Sequence, residues 1–404
     1  MSTRVETHIV KSNLLDELSF ISKNVYNWSL FQVRKEFIEN GKFLGYSNTN
    51  QLIKAARDFE AEYSTLPAQT IQSILRLLEK NWKSFFRAIK AYSKSKAGFK
   101  GQPKLPGYMD KNGRNILIYP GQNIKIKNGI LKIPKTGIKI ITSVEKENLK
   151  QVRIIPKGYK TFKVEIVYNK PVDDLGLNKA HAIGIDIGLN NLMAITSNQP
   201  GSLNCLINGS PLKSLNQFYN KMATKAKSKL KIINNSYWSR KLNTLTMKRD
   251  NKISDYLHKA SRLVIDLCKQ FDIGQIVIGH NDGWKQKINI GKKNNQNFVQ
   301  VPFNKLIAMI QYKAEEVGIE VILTEESYTS KCDHLAQEEM IHHKNYLGKR
   351  IRRGLFKSST GQMINADING ALGILRKVNA VSKEFLAELR GNRGCVLQPI
   401  KLNC

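Results

Sequence analysis

Paired cysteines are missing from this 404-residue chain. Its five cysteines (Cys205, Cys268, Cys332, Cys395, Cys404) are scattered, odd in number and form no Cys-x-x-Cys pair. That leaves no support for a disulfide framework or a four-cysteine zinc site, and reduced thiols are expected. Long apolar runs are missing too. No stretch approaches a membrane span, and Met1–Asn13 is polar without the apolar core of a secretory signal, so a cytoplasmic location is expected, with no membrane partner. Acid is scarce: Asp and Glu number 32 against 65 Lys and Arg, a formal charge of +33. Such a chain repels itself unless a polyanion offsets the charge. Most basic stretches are interleaved with apolar positions, which suits grooves over tails. Nucleic acid is therefore the expected partner, with no small-molecule substrate.

The chain is 41% hydrophobic, enough for one large core or two to three domains. Residues 12–40 and 69–92 are expected to be amphipathic helices. In the second, Ile71, Ile74, Leu75, Leu78, Trp82, Phe85 and Ile89 recur at helical spacing. Lys80, Lys83, Arg87 and Lys90 fill much of the remaining surface, as nucleic-acid contacts or as a plain solvated face. The segment GFKGQPKLP (98–106), whose Lys100 and Lys104 are further candidate contacts, breaks this helical run. Residues 115–170 alternate as short strands, with Asn128-Gly129 a hairpin turn and Lys125, Lys127, Lys132 and Lys135 placed for phosphates.

From His181 the pattern changes to strands at Ile183–Ile187, Leu192–Thr196 and about Leu203–Ile207, then a long lysine-rich helical region. Helix Ile253–Gln270, strand Gln275–Ile278, helix Phe303–Val317, strand Ile319–Leu323 and a helix from about Ile368 complete an α/β order.

Asp186 stands in GIDIG at the end of an apolar strand, and Asp367 in INADINGALGILRK at the start of a helix whose stripe is Ile368, Ala371, Leu372 and Leu375. Alone, Asp367 reads as a helix N-terminal carboxylate. Together, a first-strand Asp and a late-helix Asp bracketing strand–helix–strand–helix–strand match an RNase H-like nuclease, where distant carboxylates converge on metal ions. Phosphodiester cleavage needs neutralised charge and an activated water, which two divalent ions about 3.5–4 Å apart supply. Hard oxygen ligands suit Mg²⁺ or Mn²⁺. A third carboxylate is normally required, yet the middle strand reads IVIGHN, with Gly279 and no acid. The nearest substitutes are Glu325 and Glu326 in GIEVILTEESYTSK, with Glu326 the first choice, Glu325 its substitute, and ordinary surface acids the alternative.

The segments LPAQT (66–70), FKGQPKLPGY (99–108), GIDIGLNNLMAIT (184–196), IVIGHNDGWKQ (276–286), ESYTSK (326–331) and INADINGALGILRK (364–377) resemble TnpB (OrfB) proteins of small insertion sequences, relatives of type V CRISPR effectors. The resemblance spans nearly the whole chain. It implies an RNase H-like (RuvC) core with an amino-terminal β-barrel-like wedge domain carrying a helical recognition insertion. The expected divisions are 1–11 and 96–178 for the wedge, 12–95 for the recognition region, and 179–331 with 363–378 for the nuclease. A basic insertion, a degenerate zinc ribbon, takes 332–362, and 379–404 is a C-terminal tail. The resemblance also implies a guide RNA from the transposon end and cleavage of double-stranded DNA beside a short transposon-associated motif. By the match, Asp186 and Asp367 are the first and last RuvC acids and metal ligands. The middle Glu falls on Gly279, and some relatives carry a relocated Glu at the place of Glu326.

Where relatives often carry two Cys-x-x-Cys pairs, this chain offers only Cys332 with His334, His342 and His343, a spacing that fits no standard ribbon. Zinc is not expected, and the stretch reads as a basic loop with Lys331, Lys349, Arg350, Arg352 and Arg353 on phosphates. Lys285 is a further candidate contact. Lys221–Lys231, including Lys225 and Lys229, with Arg240, Lys241, Lys248 and Arg249, fits a helix pair gripping RNA or a guide–target duplex. Tyr237 and Trp238 are either base-stacking platforms or anchors to the core. Two other functions stay open: a nuclease-inactive, RNA-guided DNA-binding repressor, and a transposase that joins DNA directly.

Overall fold

A computed structural model describes residues 2–56, 61–199, 201, 203–281, 300–392 and 394–404, the side chain of Ala61 excepted. Its contacts divide into two compact units, Thr3–Lys170 and Pro171–Cys404.

The first unit holds strands β1 (Ser2–Lys11), β2 (Leu117–Pro120), β3 (Lys125–Lys127), β4 (Ile130–Lys132), β5 (Lys139–Ile141), β6 (Leu149–Gly158) and β7 (Thr161–Lys170). Its helices are α1 (Asn13–Asn40), α2 (Tyr46–Ala56) and α3 (Ala68–Lys94). The Ser12 hydroxyl accepts from Leu15 N at 3.1 Å to start α1. Gly41, at φ 65°, ends it in the left-handed conformation that glycine adopts without steric cost. The apolar stripe of α3, with Leu75, Leu78 and Trp82, packs into one core with Leu15 and Leu30 of α1 and Leu117 and Val164 of the strands. Lys80, Lys83, Arg87 and Lys90 are left exposed, Lys83 beside Glu79 at 3.2 Å; Lys100 and Lys104 are exposed as well.

Asn128 (φ 51°) and Gly129 (φ 69°) form the turn between β3 and β4. The expected barrel does not close. Among the described residues the strands make an open sheet, β1-β7-β6-β2, and a separate sheet, β3-β4-β5. Closure needs strands long enough to tilt and stagger around a ring, and β2 to β5 are only three or four residues long.

The second unit is mixed α/β. In chain order it runs β8 (Ala182–Ile187), β9 (Asn191–Ser197), β10 (Asn204–Asn208), α4 (Ser210–Asn234), α5 (Arg240–Gln270), β11 (Gln275–Gly279), α6 (Phe303–Glu315) and β12 (Glu320–Thr324). It continues with β13 (Lys349–Arg352), β14 (Leu355–Lys357), β15 (Met363–Ile364), α7 (Ala366–Lys377), α8 (Lys383–Gly391), β16 (Cys395–Val396) and β17 (Ile400–Leu402). One six-stranded sheet has the order β12-β11-β8-β9-β10-β17. Strands β8, β9 and β10 form an antiparallel meander, while β11 and β12 run parallel to β8. The last segment is no free tail: β17 pairs in parallel with β10, and β16 with β15.

The period of two along β8 sorts its side chains. Ile183, Ile185 and Ile187 join the core with α5 and α6. Ala182, Gly184 and Asp186 therefore face the other side, where α7 lies. A Cβ on Gly184 would stand 2.3 Å from Ala371 O, and one on Gly370 would stand 2.6 Å from Asp186 Oδ2. Glycine at both positions is what lets α7 lie against the strand.

Candidate active site

Asp186 comes from the end of β8. Asp367 comes from the first turn of α7, where Asn365 caps the helix by accepting from Asp367 N and Ile368 N at 3.0 and 3.3 Å. Glu326 lies two residues beyond β12. The register Ile278↔Ile185 places Gly279 one step on, beside Asp186. A Cβ at Gly279 would meet Glu326 Oε2 at 3.0 Å and Ile374 Cδ1 at 2.6 Å. A carboxylate from the exit of the next strand thus lies beside the end of the middle strand.

Asn281 holds Glu326 there. Its amide donates to Glu326 Oε1 at 3.2 Å and its carbonyl oxygen accepts from Glu326 N at 3.1 Å. Burial first, and Glu325 after it, raise the Glu326 pKa against the opposing pull of His280 and Lys377. Glu325 is separate. It is exposed, paired with Lys377 Nζ at 2.6 Å, and held below the usual carboxylate range mainly by that bond.

Asp186 is the most perturbed of the acids. Burial, then the charges of Glu326 and Asp367, push its pKa up to about 8, with Arg350 acting in the opposite sense. No hydrogen-bond donor among the described residues serves its carboxylate. Asp367 is better partnered: it accepts from Asn191 Nδ2 at 2.7 Å, and Arg350 Nη2 lies 3.7 Å away. Beside it opens a cleft of about 550 Å³ lined by Asn190, Asn191, Arg350, Arg353, Gly354 and Asp367. Asn191 and Asn281 escaped the sequence reading. Their only signal was position, Asn191 opening β9 after GIDIGL and Asn281 two residues beyond β11 in IVIGHN.

A divalent cation suits this chemistry. Three carboxylates supply hard oxygens, and among the described residues none donates to the one with the highest pKa. Among the described residues no three such side chains already close on one point, so an ion would compete with Arg350 and Asn191 for Asp367.

The zinc candidates of the 332–362 stretch are engaged with protein groups. His334 is buried with both ring nitrogens engaged, Nε2 with Thr329 O at 2.6 Å and Nδ1 with Arg376 Nη1 at 2.8 Å. Its pKa is lowered to about 4, chiefly by burial. Cys332 Sγ donates to Glu339 O at 3.4 Å, His343 Nε2 lies 2.8 Å from that same carbonyl, and His342 sits edge-on to Tyr328. Asp333 instead organises the loop. Fully buried, its carboxylate accepts from Ser358 Oγ at 2.8 and 2.9 Å, Ser359 N at 2.7 Å, Ser359 Oγ at 2.9 Å and Ala336 N at 3.2 Å.

Of the basic candidates in this unit, Lys225, Lys229, Arg240, Lys241 and Lys248 are exposed on the α4–α5 hairpin, and Lys331, Arg350, Arg352 and Arg353 are exposed in the loop region. Arg249 is committed elsewhere, bonded to Asn216 Oδ1, Asp250 Oδ1 and Gln300 O and stacked on Tyr219. It reads as a brace within the unit. Lys285 lies outside the described residues.

Residues 165–285 match the OrfB_IS605 family, described as "Probable transposase", and residues 303–374 match the "Cas12f1-like, TNB domain". The chain resembles TnpB proteins. "Putative RNA-guided DNA endonuclease InsQ" of Escherichia coli (strain K12) is 23% identical to this TnpB-like chain over 386 residues, 88% of this chain and 86% of that one. "TnpB-like protein ORF457" of Acidianus two-tailed virus is 29% identical over 153 residues, 36% of this chain and 30% of its own. A solved Cas12f1–sgRNA–target DNA complex shares the fold, with a TM-score of 0.55 at 16% identity, covering 89% of this chain and 81% of that one.

Proposed function

We propose that this TnpB-like chain is an RNA-guided DNA endonuclease encoded by an insertion sequence, cleaving double-stranded DNA beside a short transposon-associated motif. In this reading Pro171–Cys404 is an RNase H-like, RuvC-type core, and the first unit is a wedge with a helical recognition insertion. The observation that carries it is the common face of Asp186, Glu326 and Asp367, with the Glu326 carboxylate lying over Gly279. InsQ, a putative RNA-guided DNA endonuclease, and the Cas12f1 complex with its sgRNA and target DNA support the same reading.

Asp186, Glu326 and Asp367 would hold Mg²⁺ or Mn²⁺, which when bound neutralises phosphate charge and activates water. The chain's own groups do the rest. Arg350 and Arg353, in the cleft beside Asp367, bind the phosphate backbone. Asn191 orients Asp367 and Asn281 orients Glu326. A guide RNA derived from the transposon end supplies sequence specificity by base pairing, so protein side chains read little of the target.

The test is cleavage of a plasmid library in Mg²⁺ by the protein copurified with RNA from its own locus, alongside Asp186→Ala and Glu326→Gln. Cleavage by the native chain and loss in both variants is the expected result. Guided binding with no cleavage by the native chain would replace this reading with that of a DNA-binding repressor.

A further inference from the structure

The hairpin of α4 and α5 carries a groove that the acid cluster does not use. Its volume is about 820 Å³, within the range of about 300–1,000 Å³ usual for small-ligand sites. Met222, Leu230, Leu242 and Leu245 give it an apolar floor. Lys225, Lys229, Arg240, Lys241 and Lys248 line it as well, and no acidic residue does. The turn joining the two helices exposes Tyr237 at 56% and Trp238 at 53%. Ser239, another lining residue, caps α5 by accepting from Leu242 N at 3.2 Å, so the groove also meets the positive end of a 31-residue helix.

Phosphate binding alone requires no apolar floor, and an apolar partner alone requires no five cations. A ligand with a flat apolar face and a phosphate attached to it satisfies both demands. We propose that the α4–α5 groove is a subsite for an unpaired nucleotide of single-stranded nucleic acid, its base against the leucine floor and its phosphates on the lysine rim. The site takes one displaced or unstacked base. This deepens the nucleic-acid-binding reading above and rests on it.

The test uses the full chain stripped of copurified RNA and fluorescent ten-nucleotide probes: oligouridine, oligodeoxyuridine, and a backbone of each type without bases. The variants are Ala226→Trp, which fills the floor, Leu245→Gln, which makes it polar, and the pair Lys225→Gln with Lys241→Gln, which strips the rim. The native chain is expected to bind intact probes about tenfold more tightly than base-free ones. Either floor variant should bring intact probes down to the base-free level while leaving base-free binding unchanged, which also shows that the variant is folded. The rim pair should weaken both. The ribose and deoxyribose probes report which strand the site prefers.

Equal binding of intact and base-free probes by the native chain would overturn the subsite and leave the general reading standing. Binding of neither would overturn both. If Ala226→Trp instead halves the particle mass without changing probe affinity, the groove is a contact between two copies of this chain and the proposal fails.

Discussion

Asp333 and Asp186 are both shielded carboxylates of the same unit, and they are treated in opposite ways. Asp333 accepts from four donors on Ala336, Ser358 and Ser359, the Ser358 hydroxyl lying between both its oxygens. Asp186 accepts none from the described residues, sits near two further acids, and has its pKa pushed up to about 8 by burial and those charges. A carboxylate with its donors built in belongs to the architecture. One left without donors, beside like charges, is stable as an anion only when a cation arrives. In the proposed function this difference separates a structural acid from one left for a cation.

The largest effect that would break this comparison is on cleavage. Asp186→Asn and Asp367→Asn should each lower guided plasmid cleavage by at least about a thousandfold while leaving the fold intact. Asp333→Ala should do the reverse. Orphaning its buried donors is expected to cost about 3 kcal/mol in denaturant unfolding, with early proteolysis between residues 332 and 362. An Asp333→Ala protein of native stability would mean that the loop is held by something else, such as a metal.

Next in size is the contrast between neighbours. Glu326→Gln should slow cleavage about a hundredfold, whereas Glu325→Gln, which removes an exposed pair with Lys377, should stay within about threefold of the native rate. Asn281→Ala tests the clamp: Glu326 keeps its charge and loses its two bonds to the strand end, so cleavage should drop about tenfold. Equal losses for the two glutamates would remove the argument built on Gly279.

The elements that carry the acids were legible because their patterns are local. The alternation of Ile183, Ile185 and Ile187 around Asp186, and the stripe of Ile368, Leu372 and Leu375 behind Asp367, lie within single elements. What was not legible depends on distance. The 332–362 stretch read as a degenerate zinc ribbon, and Asp333 passed unnoticed in it because its partners, Ser358 and Ser359, lie 25 and 26 residues on and carry no periodic signal. The three residues of β17 are too short a run to show that the chain returns to the sheet beside β10. The open sheet in place of a barrel had no sequence signature either, since closure is a property of strand length and stagger taken together.

The smallest expected effect sharpens the comparison most directly, because it needs neither guide nor target. Without divalent ions, Asp186 has a folded-state pKa of about 8 against about 3.9 for an unfolded Asp. The folded chain therefore holds the proton more tightly than the unfolded one. That contribution is complete below pH 4 and is lost as pH rises from about 4 to about 8. In chelator, the native melting temperature should fall across this window relative to Asp186→Asn, which has no proton to lose there. The separation at pH 9 should be modest, roughly 2–4 °C in favour of the variant. Adding Mg²⁺ at pH 9 should recover the native protein and leave Asp186→Asn unmoved, since only the anion gains from the ion. Melting curves for the two proteins that stay parallel from pH 4 to 9 would mean that Asp186 is partnered after all, and the contrast with Asp333 would collapse.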